Sequence, residues 1–121
     1  MKIENIKFKA KELGTGKWKE GFLQRDMDYN LCILIANKED LSWYWTQIDP
    51  STVCQFTGLK DKNGTLIYEG DIVIYKDNNA ERRGTITWDS KAVSFCFEQD
   101  LLVHYPSENM VVIGNKFDKE K

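Results

Sequence analysis

Apolar and polar residues alternate near the start of the chain, where Ile6, Phe8 and Ala10 are interleaved with Lys7 and Lys9. A period of two sends successive side chains to opposite faces of a strand. The pattern predicts a first strand with one apolar and one wet face. Gly14-Thr15-Gly16 reads as a turn, and Trp18 to Gln24 as a second strand in which Gly21 marks a bulge. Tyr29 to Ala36 reads as a third strand buried on both faces, because Leu31 to Ala36 is an unbroken apolar run. Asn37 to Asp40 turns the chain, and Leu41 to Gln47 follows as a strand. Pro50 lacks a backbone donor and fixes its φ, so no regular strand runs through it. A single helical turn starting at Asp49, with Pro50 in its first position, fits this boundary.

The most informative stretch is residues 54–75. Val53 to Leu59 and Thr65 to Tyr68 read as two strands around an Asp61-Lys62-Asn63-Gly64 turn. Asn63 and Gly64 tolerate the positive φ that hairpin turns demand. Gly70, between Glu69 and Asp71, permits a second sharp bend before a strand from Asp71 to Lys76. Gly84 to Trp88 and Val93 to Glu98 continue the series. Leu101 to Tyr105 fits a strand or a helical turn, Pro106 ends it, and Met110 to Ile113 is the last strand before a frayed tail at residues 118–121.

Roughly ten short strands with frequent turns predict a mainly β, antiparallel barrel or sandwich. Gly70-Asp71-Ile72-Val73, a charged loop and then Gly84-Thr85-Ile86 look like the opening strands of an SH3-like barrel, which is the expected form of the C-terminal part. At 121 residues the chain is read as one domain, with sub-lobes at 1–48 and 49–117 whose mutual packing stays open.

Charge adds little globally and something locally. The chain carries 17 basic and 19 acidic residues, a net charge of −2. Residues 2–19 hold Lys2, Lys7, Lys9, Lys11, Lys17 and Lys19 against Glu4 and Glu12. Such a run is either a solvated face or a basic arm for nucleic acid or an acidic partner. Cys32, Cys54 and Cys96 are an odd, widely spaced set inside apolar runs, which fits free thiols in a reducing cytoplasm. No apolar stretch follows the charged N-terminus, and none approaches the ~18 residues of a membrane helix, so neither a signal peptide nor a membrane partner is expected.

Four blocks carry a resemblance: Ile6-Lys7-Phe8-Lys9-Ala10; Asp49-Pro50-Ser51-Thr52-Val53 with Gln55-Phe56-Thr57-Gly58-Leu59-Lys60-Asp61-Lys62-Asn63-Gly64; Ile67-Tyr68-Glu69-Gly70-Asp71-Ile72-Val73; and Val112-Ile113-Gly114-Asn115. In order and spacing they resemble the YopX family, small proteins carried mostly by phages and prophages. The resemblance covers almost the whole chain. It implies a mainly β fold and a phage setting, and it brings no assigned activity. Lys9 departs from the arginine that the family tends to carry, and lysine lacks the planar fork of a guanidinium.

Candidate chemistry is sparse. Asp61, Glu69 and Asp71 lie on or beside one hairpin and read either as an acid–base or cation-holding group, or as turn residues that bond backbone amides. Asp61, Asn63, Gly64, Gly70 and Asp71 are assigned structural roles. His104 stands alone beside Tyr105 and Pro106, with no nucleophile in a recognisable motif. No phosphate-cradling or dinucleotide motif occurs. No catalytic residue, cofactor or metal is expected. Trp43 and Trp45 share one strand face, with Tyr44 on the other. They cap this chain's own core or form a contact surface. Lys76, Arg82 and Arg83, near Trp88, join them as a candidate interaction set. The sequence therefore reads as a non-enzymatic interaction module, binding an unknown protein, of the host or a second copy. The alternatives are a nucleic-acid-binding small barrel and a small enzyme using the acidic cluster.

Overall fold

The computed structural model describes residues 5–37 and 39–118. Among these the chain forms β1 (Phe8–Lys11), β2 (Trp18–Arg25), β3 (Leu31–Ala36), β4 (Trp43–Gln47), β5 (Cys54–Lys60), β6 (Leu66–Tyr68), β7 (Asp71–Lys76), β8 (Glu81–Asp89), β9 (Ser94–Phe97), β10 (Asp100–Leu101) and β11 (Met110–Asn115). The fold is mainly β and its pairings are antiparallel. The chain divides into two compact units, with the division between Phe56 and Thr57, inside β5.

In the first unit the strand order is β4-β3-β2-β1-β5. Past the end of β1, Glu12 makes an isolated bridge with Ile48. The Leu13 amide donates to the Gln47 carbonyl (3.0 Å), and the Asp49 amide donates to the Lys11 carbonyl (2.8 Å). Pro50–Thr52 form the expected single helical turn, capped by the Asp49 side chain, which accepts from the Ser51 amide. Ala10, Ile33 and Ile48 are the buried centre, with Phe8, Leu23, Leu31, Ile35 and Val53 packed on them.

In the second unit the sheet order is β10-β9-β8-β7-β11. Its core is Ile67, Val73, Tyr75, Ile86, Phe97, Leu102 and Met110. Neither sheet order returns to its first strand, so these are open sheets, and the closed-barrel alternative is corrected. The reason is local: β10 has two residues and gives way at once to a 3-10 turn, Leu102–His104, which takes the backbone out of ladder geometry.

Two further corrections are conformational. β3 begins at Leu31 and β4 at Trp43, each two residues later than the apolar pattern predicts, because Tyr29 and Leu41 adopt φ of 65° and 60°. That left-handed geometry cannot continue a strand. Gly21 is not a bulge. Phe8, Lys9, Ala10 and Lys11 pair in unbroken register with Gly21, Glu20, Lys19 and Trp18. A Cβ on Gly21 would lie 2.1 Å from the Leu34 carbonyl oxygen, so the glycine permits a close approach of β3 backbone. The register shift falls instead in β11, between Val112 and Gly114.

Buried carboxylates fasten the corners of the second unit. Asp61 accepts from the amides of Asn63 (2.8 Å) and Thr65 (2.9 Å) through Oδ1, and from that of Val112 (2.8 Å) through Oδ2. Asp71, fully buried, accepts from the Tyr68 amide (2.7 Å) through Oδ2 and from Asn115 Nδ2 (2.9 Å) through Oδ1. Gly70, at φ 87°, makes the bend between them.

Removing the Asp61 carboxylate takes the acceptor from three part-buried hydrogen bonds, each such bond to a charged group being worth about 1.5–3 kcal/mol. Asp61→Ala is expected to lower the urea-unfolding free energy by at least that amount. Gly21→Ala is expected to cost roughly 1–3 kcal/mol through forced backbone separation. Urea titration followed by circular dichroism checks both, and an unchanged midpoint for either contradicts the corresponding contact.

Candidate interaction face

The face is built by register. Across β2, β3 and β4, Leu23, Ile33 and Thr46 are cross-strand partners, as are Phe22, Leu34 and Trp45. Neighbouring positions on one strand point opposite ways. Sending Leu23 and Ile33 into the core therefore sends Phe22, Leu34 and Trp45 outward. Trp43, two residues before Trp45 and opposite Ala36, joins them. Trp43 is 56% exposed, Trp45 53% and Phe22 38%. The Phe22 and Trp43 rings lie 6.1 Å apart, tilted by 32°. Large rings usually bury most of their area, so their gathering on a wet sheet face makes it the candidate contact surface.

β4 is also the end strand of its sheet. Among the described residues the only backbone contacts on its outer side come at its last residues, through Leu13 and Gln47. The Trp43–Trp45 segment carries no lysine, proline or bulge of the kind that usually blunts an exposed edge.

One end of the face opens into a cavity of about 450 Å³ lined by Gln24, Arg25, Asp26, Met27, Asp28 and Trp45. Asp26 organises this end. It accepts from the amides of Asp28 and Asn30 (both 2.9 Å) and from Gln47 Nε2 (3.1 Å). Hydrogen bonding, from Asn30 foremost, holds its carboxyl below the usual value. Arg25 donates to the Tyr29 carbonyl (2.7 Å), and Met27 is left 97% exposed. Sequence reasoning missed Phe22, Asp26 and Met27. Phe22 was legible from the same alternation that places Leu23 inside.

Lys76, Arg82 and Arg83 do not form one surface. Arg82 pairs across from Tyr75 and Arg83 across from Ile74, so the two guanidiniums leave on opposite sheet faces. Arg82 is tied to its own unit. It donates to Tyr105 Oη (2.7 Å), sits 3.7 Å from Asp100, and lies over the Phe97 and Tyr105 rings at 5.6 and 5.5 Å. Tyr105 in turn donates to Asp100, which raises the phenol pKa. Lys76 pairs across from Glu81 and is exposed. Both line a groove of about 370 Å³ with Lys62, Ile74, Glu108, Asn109 and Val111. Trp88 is 45% exposed and meets Phe95 edge-on at 5.1 Å.

The N-terminal lysines form a separate cluster. Lys7 lies 5.1 Å over the Phe56 ring, and Lys9 and Lys11 lie 4.8 and 5.5 Å over Trp18. Lys2 and Glu4 fall outside the described residues, as do residues 119–121 of the expected frayed tail.

A family model described as YopX protein matches residues 7–120 of the 121-residue chain. The chain belongs to the YopX family. No curated protein matches it. The family match takes in the aromatic face, both buried carboxylates and the N-terminal lysines from Lys7 onward.

The remaining reactive groups of this family member have structural surroundings. Asp61 and Asp71 spend their oxygens on the bonds given above, and Asn63 and Gly64 complete the Asp61 turn, with the Gly64 amide donating to the Asp61 carbonyl (3.0 Å). Cys32, Cys54 and Cys96 are free and buried. Burial, joined by nearby carboxylates, raises the thiol pKa of Cys32 and Cys96. His104 is exposed on its 3-10 turn. Among the described residues no three His, Cys, Asp or Glu side chains gather in a way that could hold a metal ion. No helix there is long and apolar enough to cross a membrane.

The lowered pKa of Asp26 fixes a sign. Its contribution to stability is present above its ordinary value of 3.8 and is lost as pH falls through the lower folded value. Asp26→Asn is therefore expected to flatten the acid limb of the stability–pH curve below that pH, read by thermal melting. An acid limb as steep as that of the unsubstituted protein contradicts the assignment.

Proposed function

We propose that this YopX-family protein is a non-catalytic interaction module of the bacterial cytoplasm that binds a protein partner through the outward face of β2, β3 and β4. The observation that carries this reading is the grouping of Phe22, Trp43 and Trp45 on a wet face beside an unblocked edge strand. Tryptophan is enriched among residues that dominate binding energy. The phage and prophage setting implied by the resemblance makes a host protein the natural partner class. The acidic-cluster enzyme reading finds no support, because the oxygens of Asp61 and Asp71 accept from groups that build turns and hold β11 in place.

A second reading has its own observation. Lys7, Lys9 and Lys11 share one face of the β1 strand and its approach, over the rings of Phe56 and Trp18. Cations interleaved with aromatic rings suit a nucleic-acid backbone with stacked bases. The acidic net charge weighs against it.

One experiment separates the two. Affinity capture from bacterial lysate compares the unsubstituted protein, Trp43→Thr/Trp45→Thr and Lys9→Glu/Lys11→Glu. Loss of a captured protein on the tryptophan variant alone, by at least the roughly 30-fold that about 2 kcal/mol of hot-spot energy implies, supports the proposal. Melting of each variant checks that it remains folded at the temperature of capture. Capture equal on both proteins contradicts the proposal. Nuclease-sensitive capture lost on the lysine variant establishes the second reading in its place.

A further inference from the structure

We infer that Asn63 is a modification site, deamidated spontaneously by attack of the Gly64 amide nitrogen when the Asp61 turn opens, and that the product cannot rebuild the turn. Of the chain's asparagines, only Asn63 precedes a glycine. It is also exposed. A Cβ on the following residue crowds the ring-closing attack on an asparagine side chain, and glycine has none. The reaction needs only water. The Gly64 nitrogen, having lost its proton, bonds to Asn63 Cγ. The Cγ–Nδ2 bond breaks and ammonia leaves. Water then opens the cyclic imide at either carbonyl, giving aspartate or isoaspartate, and in the latter the backbone runs through the side-chain carbon.

The folded turn withholds the nucleophile. The Asp61 amide donates to the Thr65 carbonyl (2.8 Å), the Lys62 amide to the Met110 carbonyl (2.9 Å) and the Gly64 amide to the Asp61 carbonyl (3.0 Å). The amides of Asn63 (2.8 Å) and Thr65 (2.9 Å), one on each side of Gly64, share Asp61 Oδ1. Five consecutive amides, 61–65, are thus held. The peptide unit that must rotate toward the Asn63 side chain is fixed at both ends, and rotating it gives up the Gly64 and Thr65 bonds together. Ionisation of the Gly64 nitrogen is opposed as well. Its proton is already donated to a carbonyl, and the buried Asp61 carboxylate stands beside the negative charge that would form.

Cyclisation therefore proceeds from the open form of the turn, at a rate that follows how often that form is populated. The outcome is one-way. Isoaspartate adds a backbone atom ahead of Gly64, so the amides of Gly64 and Thr65 no longer fall on the Asp61 oxygens. Asp61 also holds the Val112 amide through Oδ2 (2.8 Å), so the change passes from the hairpin to β11, the end strand of its sheet.

The test is a time course of the full chain at mildly alkaline pH, in native buffer and in guanidinium chloride, read by peptide mass mapping with detection of isoaspartate. The unfolded chain is expected to convert Asn63 ahead of Asn78 and Asn79, which precede asparagine and alanine and serve as internal references. The native chain is expected to convert Asn63 at least roughly tenfold more slowly than the unfolded one. Asp61→Ala, shown by circular dichroism to be folded at the assay temperature, is expected to move the native rate toward the unfolded one. Hydrogen exchange needs no variant, and the Gly64 amide of the unsubstituted protein is expected to exchange at least roughly tenfold more slowly than in the unfolded chain. Should Asp61→Ala not fold, the native-to-unfolded ratio and the Gly64 exchange rate decide. Native Asn63 converting as fast as in the unfolded chain overturns the inference. So does a Gly64 amide without protection, a folded Asp61→Ala with an unchanged rate, or an unfolded chain that converts Asn78 or Asn79 first.

Discussion

The register between β2 and β3 is the constraint on which the outward aromatic face depends. Leu23 sits opposite Ile33, and Ile33 is fully buried. Because side chains alternate strictly along a strand, that choice determines the other face. Phe22, Leu34, Trp43 and Trp45 have no route into the first unit's core while Leu23, Ile33 and Ile35 occupy it. Gly21 sharpens the constraint. The Leu34 carbonyl presses on its Cα from the neighbouring strand, so the two strands meet too closely there for any side chain. A slip by one residue would bury tryptophans in a space filled by isoleucines.

The second unit solves a different problem with different means. Its strands are joined by tight bends, and bends leave amides without ladder partners. Asp61 and Asp71 supply the missing acceptors from side chains, and both reach β11, through the Val112 amide and the Asn115 side chain. Short side-chain oxygens that mimic backbone acceptors are the usual reason for aspartate in turns. Arg82 closes the periphery of this unit by covering two rings and meeting Tyr105. A cation over rings contributes packing as well as charge.

Much of this was legible in the sequence, and the limits are physical. The Asp61–Gly64 turn, the Gly70 bend and the bounds of β7 follow from residues whose backbone preferences are strong. The starts of β3 and β4 were obscured because Tyr29 and Leu41 look like strand residues while adopting left-handed backbone. Gly21 was ambiguous because a strand glycine marks either a bulge or a close approach, and only the neighbouring carbonyl decides. Of the candidate surface residues, Trp43 and Trp45 lie together, while adjacent Arg82 and Arg83 are separated by the pleat. The cavity that Asp26 and Asp28 share with Trp45 was out of reach, since it forms through folding alone.

The central claim is that Leu23 and Ile33 point into the core from β2 and β3, while Phe22, Trp43 and Trp45 on the other face are open to solvent. Paramagnetic broadening of the protein's NMR signals by a soluble, uncharged relaxation agent tests it most directly. The account predicts strong broadening of the Trp43 and Trp45 indole N–H signals and the Met27 methyl, with the Leu23 and Ile33 methyls spared. Spared indoles with broadened Leu23 and Ile33 methyls would contradict it.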